Sequence, residues 1–349
     1  MHTLIIGAGF SGLATAACLS RKGLPYTVLE KEDAVGSPWR RHYERLHLHT
    51  NKRVSNLPYF PFGSGVPRYP SRLQVIDYLE RYRQHFNIQP HFRTEALSMR
   101  RSDDGWVVET NKGNVTSDFV VMATGPFKNP KPLDFPGFPG RVLHSSNYAS
   151  GQEFAGQRVL VVGFGNSACE IAIDLHEQGA HPFMSVRSPV NIIPRDILGI
   201  PVLELSLLLR RLPPRVADLI SAPLVRAYIG NLSKVGLRKK EYGPIEQIVR
   251  EGKAPVLDIG IIRLIRKGQV RVRGGIDHIE GAKVHFSDGA HDDFDAIIAG
   301  TGFSSDVEVK PFGEDGMYYC GYWISPTGQI REIGLDARKI AGDIAKRVR

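Results

Sequence analysis

The chain has 349 residues, 42% of them hydrophobic, with 36 glycines, which suits two globular α/β domains of ordinary size and excludes a disordered or fibrous protein. Its net charge of +9 comes from scattered Lys and Arg that form no long block, so nucleic-acid binding is not expected. Cys18, Cys169 and Cys320 lie far apart with no CxxC pair, which removes a redox dithiol and fits a reducing, cytoplasmic compartment.

The first predicted strand begins at about Thr3, with no room for a signal peptide ahead of it. It runs through Leu4-Ile5-Ile6 into Gly7-Ala8-Gly9-Phe10-Ser11-Gly12. Glycines at this spacing permit a tight strand-to-helix turn and let backbone approach a pyrophosphate at the helix N-terminus. Eighteen residues past Gly12, the run Tyr26-Thr27-Val28-Leu29 ends in Glu30, an acceptor for a ribose 2′-hydroxyl, followed by Lys31. Residues 31–70 are rich in Pro, His and aromatics without periodicity, and read as a cofactor or substrate wall. A helix follows, with Ser71 as N-cap and Leu73, Ile76, Tyr78, Leu79 and Tyr82 as its apolar face. From Phe92 to Val121 the pattern alternates as a β-meander, with turns at Ser102–Gly105 and Asn111–Asn114. It ends in a buried strand that stops at Thr124-Gly125.

Pro- and Gly-rich residues 126–141 are expected to lead into a second domain. There Val159-Leu160-Val161-Val162 precedes a second fingerprint, Gly163-Phe164-Gly165-Asn166-Ser167-Ala168. Nineteen residues past Ala168 the matching strand reaches Arg187 and Ser188, which would bind a 2′-phosphate that an acid would repel. One cradle therefore reads a nucleotide with a free ribose, FAD or NAD, and the other reads NADP; together they point to a flavoprotein reduced by NADPH. Two such polyanionic cofactors account for part of the basic excess.

The stretch 196–237 is apolar, punctuated by Arg, and too broken by Pro201, Pro213, Pro214 and Pro223 to form one helix. It reads either as a membrane-surface element or as a helical lid over the active site, and the lid is the expectation. No run of about 18 apolar residues predicts a transmembrane segment. A second Thr-Gly strand, Asp295 to Phe303, echoes the first, and a last helix runs from about Gln329 to Lys346.

Phe138 to Tyr148 (FPGRVLHSSNY) resembles the FxGxxxHxxx(Y/F) motif of the class B flavin-containing monooxygenases. Tyr43 to Thr50 (YERLHLHT), Tyr69 to Tyr82, Val186 to Gly199 and Lys253 to Gly260 are similar, in order, to stretches of the YUCCA-type enzymes within that class. Three departures stand out: Ala299-Gly300-Thr301-Gly302 where the family has Ala-Thr-Gly, the entry Thr327 to Glu332 into the last helix, and no sure counterpart of the animal-type active-site Asn, for which Asn51 is the candidate.

The resemblance implies two Rossmann-like domains, the NADP domain (149–303) inserted in the FAD domain (1–148 with 304–349). It implies that NADPH reduces FAD, that a C4a-(hydro)peroxyflavin forms with O2, and that a small organic substrate is oxygenated. The family precedent is oxidative decarboxylation of an α-keto acid such as indole-3-pyruvate; N- or S-oxygenation and NADPH oxidase-like release of H2O2 are the alternatives. Gly7, Gly9, Phe10, Ser11, Gly12, Glu30 and Lys31 would then hold FAD, with Gly36 and Trp39 as the family's GGxW turn and Gln329 facing the flavin ring. Gly163, Gly165, Asn166, Ser167, Arg187 and Ser188 would hold NADPH. Thr124, Gly125 and Thr301 would lie near bound NADP+, with His144 and Tyr148 as braces. Asn51 is the candidate catalytic residue. No metal is expected: His42, His47 and His49 lack a carboxylate–His–Cys set. The oligomeric state is left open.

Overall fold

The computed structural model describes residues 1–127, 129–131, 133–209, 211–305 and 307–348. The chain divides into two compact units, one of Met1–Arg40, Thr50–Lys128 and Ser305–Arg349, the other of Arg41–His49 and Asn129–Ser304.

The first unit is built on a four-stranded parallel sheet in the order Tyr26–Leu29, Thr3–Ile6, Phe119–Met122, Met317–Tyr319. Every residue of Thr3–Ile6 and Phe119–Met122 is buried, as expected for parallel strands covered on both faces. The meander appears as three antiparallel strands, Ala96–Ser102, Gly105–Thr110 and Gly113–Ser117, whose Trp106 and Val108 join Leu4, Val120 and Met122 in one core. The helix Arg72–His85 starts from Ser71 through a reciprocal capping box with Gln74. Its buried face is Val75, Tyr78, Leu79 and Tyr82, while Leu73, expected inside, is 66% exposed. The tyrosines of that face organise the preceding loop, because Tyr78 accepts from Leu57 N–H and donates to Phe60 O, and Tyr82 donates to Pro58 O. Lys52 Nζ fastens the same loop through the carbonyls of Gly63, Ser64 and Val66.

The second unit carries a five-stranded parallel sheet in the order Arg271–Arg273, His181–Ser185, Arg158–Val162, Ala296–Ala299, Arg141–His144. Arg141–His144 pairs in register with Ala296–Ala299, so the chain joins this unit from Asn129 and not from the expected boundary near 149. The segment Arg41–His49 also packs here: Glu44 N–H donates to Ala149 O, and Arg45 makes two bonds to Glu177. An antiparallel sheet of Ile276–Glu280, Lys283–Phe286 and His291–Asp293 completes the unit.

The stretch 196–237 contains a tight hairpin, Asp196–Ile197 with Ile200–Pro201, then helices Val202–Leu209 and Pro214–Ile229. Pro214 opens its helix, whereas Pro223 lies inside it and does not break it. Its missing N–H orphans a carbonyl at exposed Leu219, where water can satisfy it. Among the described residues no helix is long and apolar enough to cross a membrane.

Candidate functional site

In the first unit, Gly9 is the N-cap of helix Phe10–Ser20; no side chain caps it and no acid occupies its first turn. The first N–H groups and the positive end of the helix dipole are thus left for an anion. Gly7 has φ +106°, and a Cβ there would stand 2.8 Å from Ala123 O. A Cβ on Gly12 would stand 1.8 Å from Gly7 O, whereas one on Gly9 meets nothing within 4 Å. Two glycines close the turn and the third keeps the mouth open. Glu30 is buried; its Oε2 accepts Ala8 N–H at 2.7 Å and its Oε1 accepts Glu32 N–H at 3.0 Å. Each carboxylate oxygen retains a lone pair for a ribose hydroxyl. Lys31 beside it is exposed.

The Gly36–Trp39 turn docks on this loop: Gly36 N–H donates to Ala8 O, and the Trp39 ring meets Phe10 edge-on at 6.1 Å. Thr124 Oγ1 and Tyr322 Oη are 2.6 Å apart at the end of the sheet, next to Gly125 at φ +78°. Gln329 opens the last helix, Gln329–Arg347; its Nε2 donates to Gly321 O at 2.6 Å, and its Oε1 is buried without a partner. Gly321 is a contributor that sequence reasoning missed. A Cβ there would lie 2.5 Å from Ser11 Oγ and 2.7 Å from Ile333 Cγ1, and its N–H is held by Asp336. The only signal was a small residue after a buried strand, fifteen positions before an acid on the last helix.

The second unit repeats the cradle with changed parts. Gly165 caps helix Asn166–Glu177 without a side-chain bond, no acid lies in the first turn, and a Cβ on Gly165 meets nothing within 4 Å. Gly163 has φ +113°, and its Cβ would stand 2.6 Å from Gly300 O, as Gly7 faces Ala123. The third fingerprint position is Ala168, and a Cβ on Gly300 would fall 2.8 Å from the Ala168 methyl. One methyl fits this contact, so the extra glycine in Ala299-Gly300-Thr301-Gly302 compensates for the alanine.

Register refines the reading of the ribose site. Ile6 pairs with Leu29 and Val162 with Ser185, so Val186 stands where Glu30 does, and Arg187 matches Lys31. The two cradles differ by an acid replaced with valine, and each has a cation one residue further on. Arg187 and Ser188 are exposed. Arg238, also missed, brings a second guanidinium: its Nη2 donates to Arg187 O at 2.6 Å. It lies in another segment, 51 residues away, which hid it from motif reading. The Asn166 side chain is occupied, accepting from Leu257 N–H at 2.8 Å and donating to Pro255 O at 3.2 Å, so what remains for a phosphate is its backbone.

Other expected residues are engaged in hydrogen bonds within the protein. Tyr148 donates to Asp174 at 2.6 Å, and Tyr43 to Glu170 at 2.6 Å, both acids of the second fingerprint helix. Burial, and then Glu170, hold the Tyr43 phenol protonated, and Ser167 lies within hydrogen-bond reach of it. His49 Nε2 lies 3.2 Å from Glu170 as well, and His47 is bound to Arg45 O. His144 Nδ1 accepts Ser146 N–H, which leaves Nε2–H for Gly302 O at 3.2 Å; burial lowers its pKa. Thr301 donates to Lys131 O at 2.7 Å. Asn51 is buried, with Oδ1 accepting Val54 N–H and its carbonyl accepting the Ser55 hydroxyl. Cys18, Cys169 and Cys320 are free and buried, and burial raises all three thiols, Cys18 to about 11 and Cys320 to about 12.

Residues 4–193 match the pyridine nucleotide-disulphide oxidoreductase family model. Over 98% of its length the chain is 39% identical to the probable indole-3-pyruvate monooxygenase YUCCA4 of Arabidopsis thaliana, covering 89% of that protein. It is 40% identical to the indole-3-pyruvate monooxygenase YUCCA1 of Oryza sativa subsp. japonica, over 87% of this chain and 77% of that one. The chain belongs to the YUCCA family of flavin monooxygenases. It is an FAD- and NADPH-dependent monooxygenase. Solved structures share the fold. A flavin-containing monooxygenase from Stenotrophomonas maltophilia superposes with TM-score 0.74 at 19% identity, covering 100% and 99% of the two chains. An oxidized steroid monooxygenase bound to NADP gives TM-score 0.76 at 18% identity, covering 99% of this chain and 85% of that one.

The residues of this flavin monooxygenase fit both cofactors. Two uncapped helix ends with open glycines suit two pyrophosphates, and the orphaned Gln329 Oε1 marks a polar group awaiting a donor.

Proposed function

We propose that the first unit holds FAD and the second holds NADPH, the NADP-binding domain being inserted in the FAD-binding one, and that the enzyme oxidatively decarboxylates an aromatic α-keto acid of the indole-3-pyruvate class. The balance is keto acid, O2, NADPH and H+ in; shortened carboxylic acid, CO2, NADP+ and water out. Bound FAD supplies hydride acceptance and oxygen activation. The chain's own residues bind and orient: Gly7, Gly9 and Gly12 admit one pyrophosphate, and Glu30 accepts from its ribose. Gly163 and Gly165 admit the other, while Arg187 and Arg238 meet the 2′-phosphate with charge-assisted bonds. Asn51 offers an amide from a buried, turn-fixed position. The helices within 196–237 serve as the lid that excludes water during turnover.

The observation that carries this reading is near-full-length similarity to indole-3-pyruvate monooxygenases together with two cradles that differ at their ribose acid. The test supplies purified enzyme with indole-3-pyruvate, trimethylamine or a thioether and follows NADPH, O2, CO2 and H2O2. Stoichiometric CO2 from the keto acid supports the assignment. Coupling to the amine or sulfide alone, or H2O2 from every substrate, refutes it.

A further inference from the structure

The antiparallel sheet of the second unit carries a cluster that the cofactor sites do not use. In its register His278 stands opposite His285, and His285 opposite His291, so three imidazoles share one row across three strands. Directly opposite residues on antiparallel strands have Cβ atoms only about 4.5–5.5 Å apart. The rings of His278 and His285 stack at 4.2 Å with an 8° interplanar angle. Glu280, two residues along from His278 and therefore on the same face, reaches both rings. Its Oε1 lies 3.6 Å from His278 Nε2 and its Oε2 lies 3.6 Å from His285 Nε2.

Two further observations point to a ligand. His285 Nε2 is buried and has no hydrogen-bond partner, an unsatisfied polar atom that a cation would satisfy. His278 Nδ1 is 2.9 Å from Asp277 Oδ2, which fixes its proton on Nδ1 and turns the Nε2 lone pair toward Glu280.

We propose that His278, Glu280 and His285 form a Zn2+ site that clips together the strands Ile276–Glu280 and Lys283–Phe286. One ligand atom from each lies within 4.8 Å of the other two. Donors at 2.0–2.1 Å around tetrahedral zinc are separated by roughly 3.4 Å, close to both histidine–glutamate distances, so small side-chain rotations complete the site. Two imidazoles with one carboxylate suit zinc and exclude Mg2+ and Ca2+, which take oxygen ligands. The fourth position falls to water or to His291, whose ring is 5.5 Å from that of His285. Sequence reading, which expected no metal, had no spacing signature to find, because strand register and not a short motif brings the ligands together.

The test is calorimetric titration of Zn2+ alone into tag-free, flavin-loaded, chelator-treated full-length enzyme, with Cu2+ paramagnetic resonance as a second readout. The expected result is one saturable equivalent, nitrogen couplings from two imidazoles, and no response to Mg2+. His278→Gln, His285→Gln and the near-isosteric Glu280→Gln should each weaken binding at least tenfold, and Asp277→Asn by about ten- to a hundredfold. Zn2+ should raise the Tm of wild type and leave that of His285→Gln unmoved. Absence of a saturable equivalent in wild type, or binding that survives the histidine substitutions, overturns the site.

Discussion

The two fingerprint cradles are built alike and differ at two atomic places. Both helix ends are uncapped, both first glycines sit at positive φ against a neighbouring strand end, and both middle glycines face open space. At the third position the first cradle tolerates no Cβ, whereas the second holds the Ala168 methyl and concedes the space at Gly300. At the ribose position the first presents Glu30 and the second Val186, each followed by a cation. On the proposed assignment of the two cradles, the selective step between a free and a phosphorylated ribose is the removal of an acid as much as the addition of a base: a carboxylate repels a phosphate that a neighbouring lysine would otherwise attract.

The largest effect that would break this comparison is Gly12→Ala. A Cβ placed 1.8 Å from Gly7 O cannot be accommodated without opening the turn, and the cost should exceed about 4 kcal/mol. The variant should be recovered without flavin, as its visible absorbance will show. The matching change in the other cradle, Ala168→Gly, should cost no more than about 1 kcal/mol in thermal unfolding and leave flavin bound. Val186→Glu restores the acid to the second cradle. It should lower kcat/KM for NADPH by roughly ten- to a hundredfold while sparing NADH, the equivalent of losing about 1.5–3 kcal/mol of charge-assisted phosphate binding. Arg187→Ala should act in the same direction within that range, and Arg238→Ala less strongly; equal losses with both coenzymes would remove either arginine from the phosphate site. Gly300→Ala should cost about 1–3 kcal/mol, and adding Ala168→Gly should recover part of it, because only one methyl fits between them.

The smallest effect concerns pH. Burial holds His144 below the ordinary histidine pKa, with Nδ1 accepting from Ser146 and Nε2–H donating to Gly302. Below about pH 6.5 the unfolded chain takes up a proton that the folded one resists, so stability falls as pH drops through that value toward the lowered folded pKa. His144→Gln should flatten this part of the Tm-against-pH curve.

Much of the architecture is legible in the sequence because it is written locally. Strand-turn-helix glycines, the Ser71 cap, the meander turns and the two Thr-Gly strands each depend on neighbours within a few residues. What the sequence hides depends on register or on distant packing. Val186 lies eighteen residues past Ala168, as Glu30 lies eighteen past Gly12, but a valine carries no chemical sign of a ribose site. Strand register fixes it, rather than Arg187 one residue further on, as the counterpart of Glu30. Arg238, Gly321 and Asp336 reach the cradles from remote segments. Leu73 looked interior by periodicity, but the helix turns Val75 inward in its place. Pro223 reads as a helix breaker only if the carbonyl it orphans is sheltered from water.

The central claim, one free-ribose cradle for flavin and one phosphate-ribose cradle for NADPH, is tested most directly by anaerobic stopped-flow reduction of the purified enzyme. The account predicts one bound FAD per chain, bleached by NADPH with kcat/KM at least about tenfold above that for NADH. A colourless protein that will not take up FAD, or a flavin reduced equally well by both coenzymes, would contradict it.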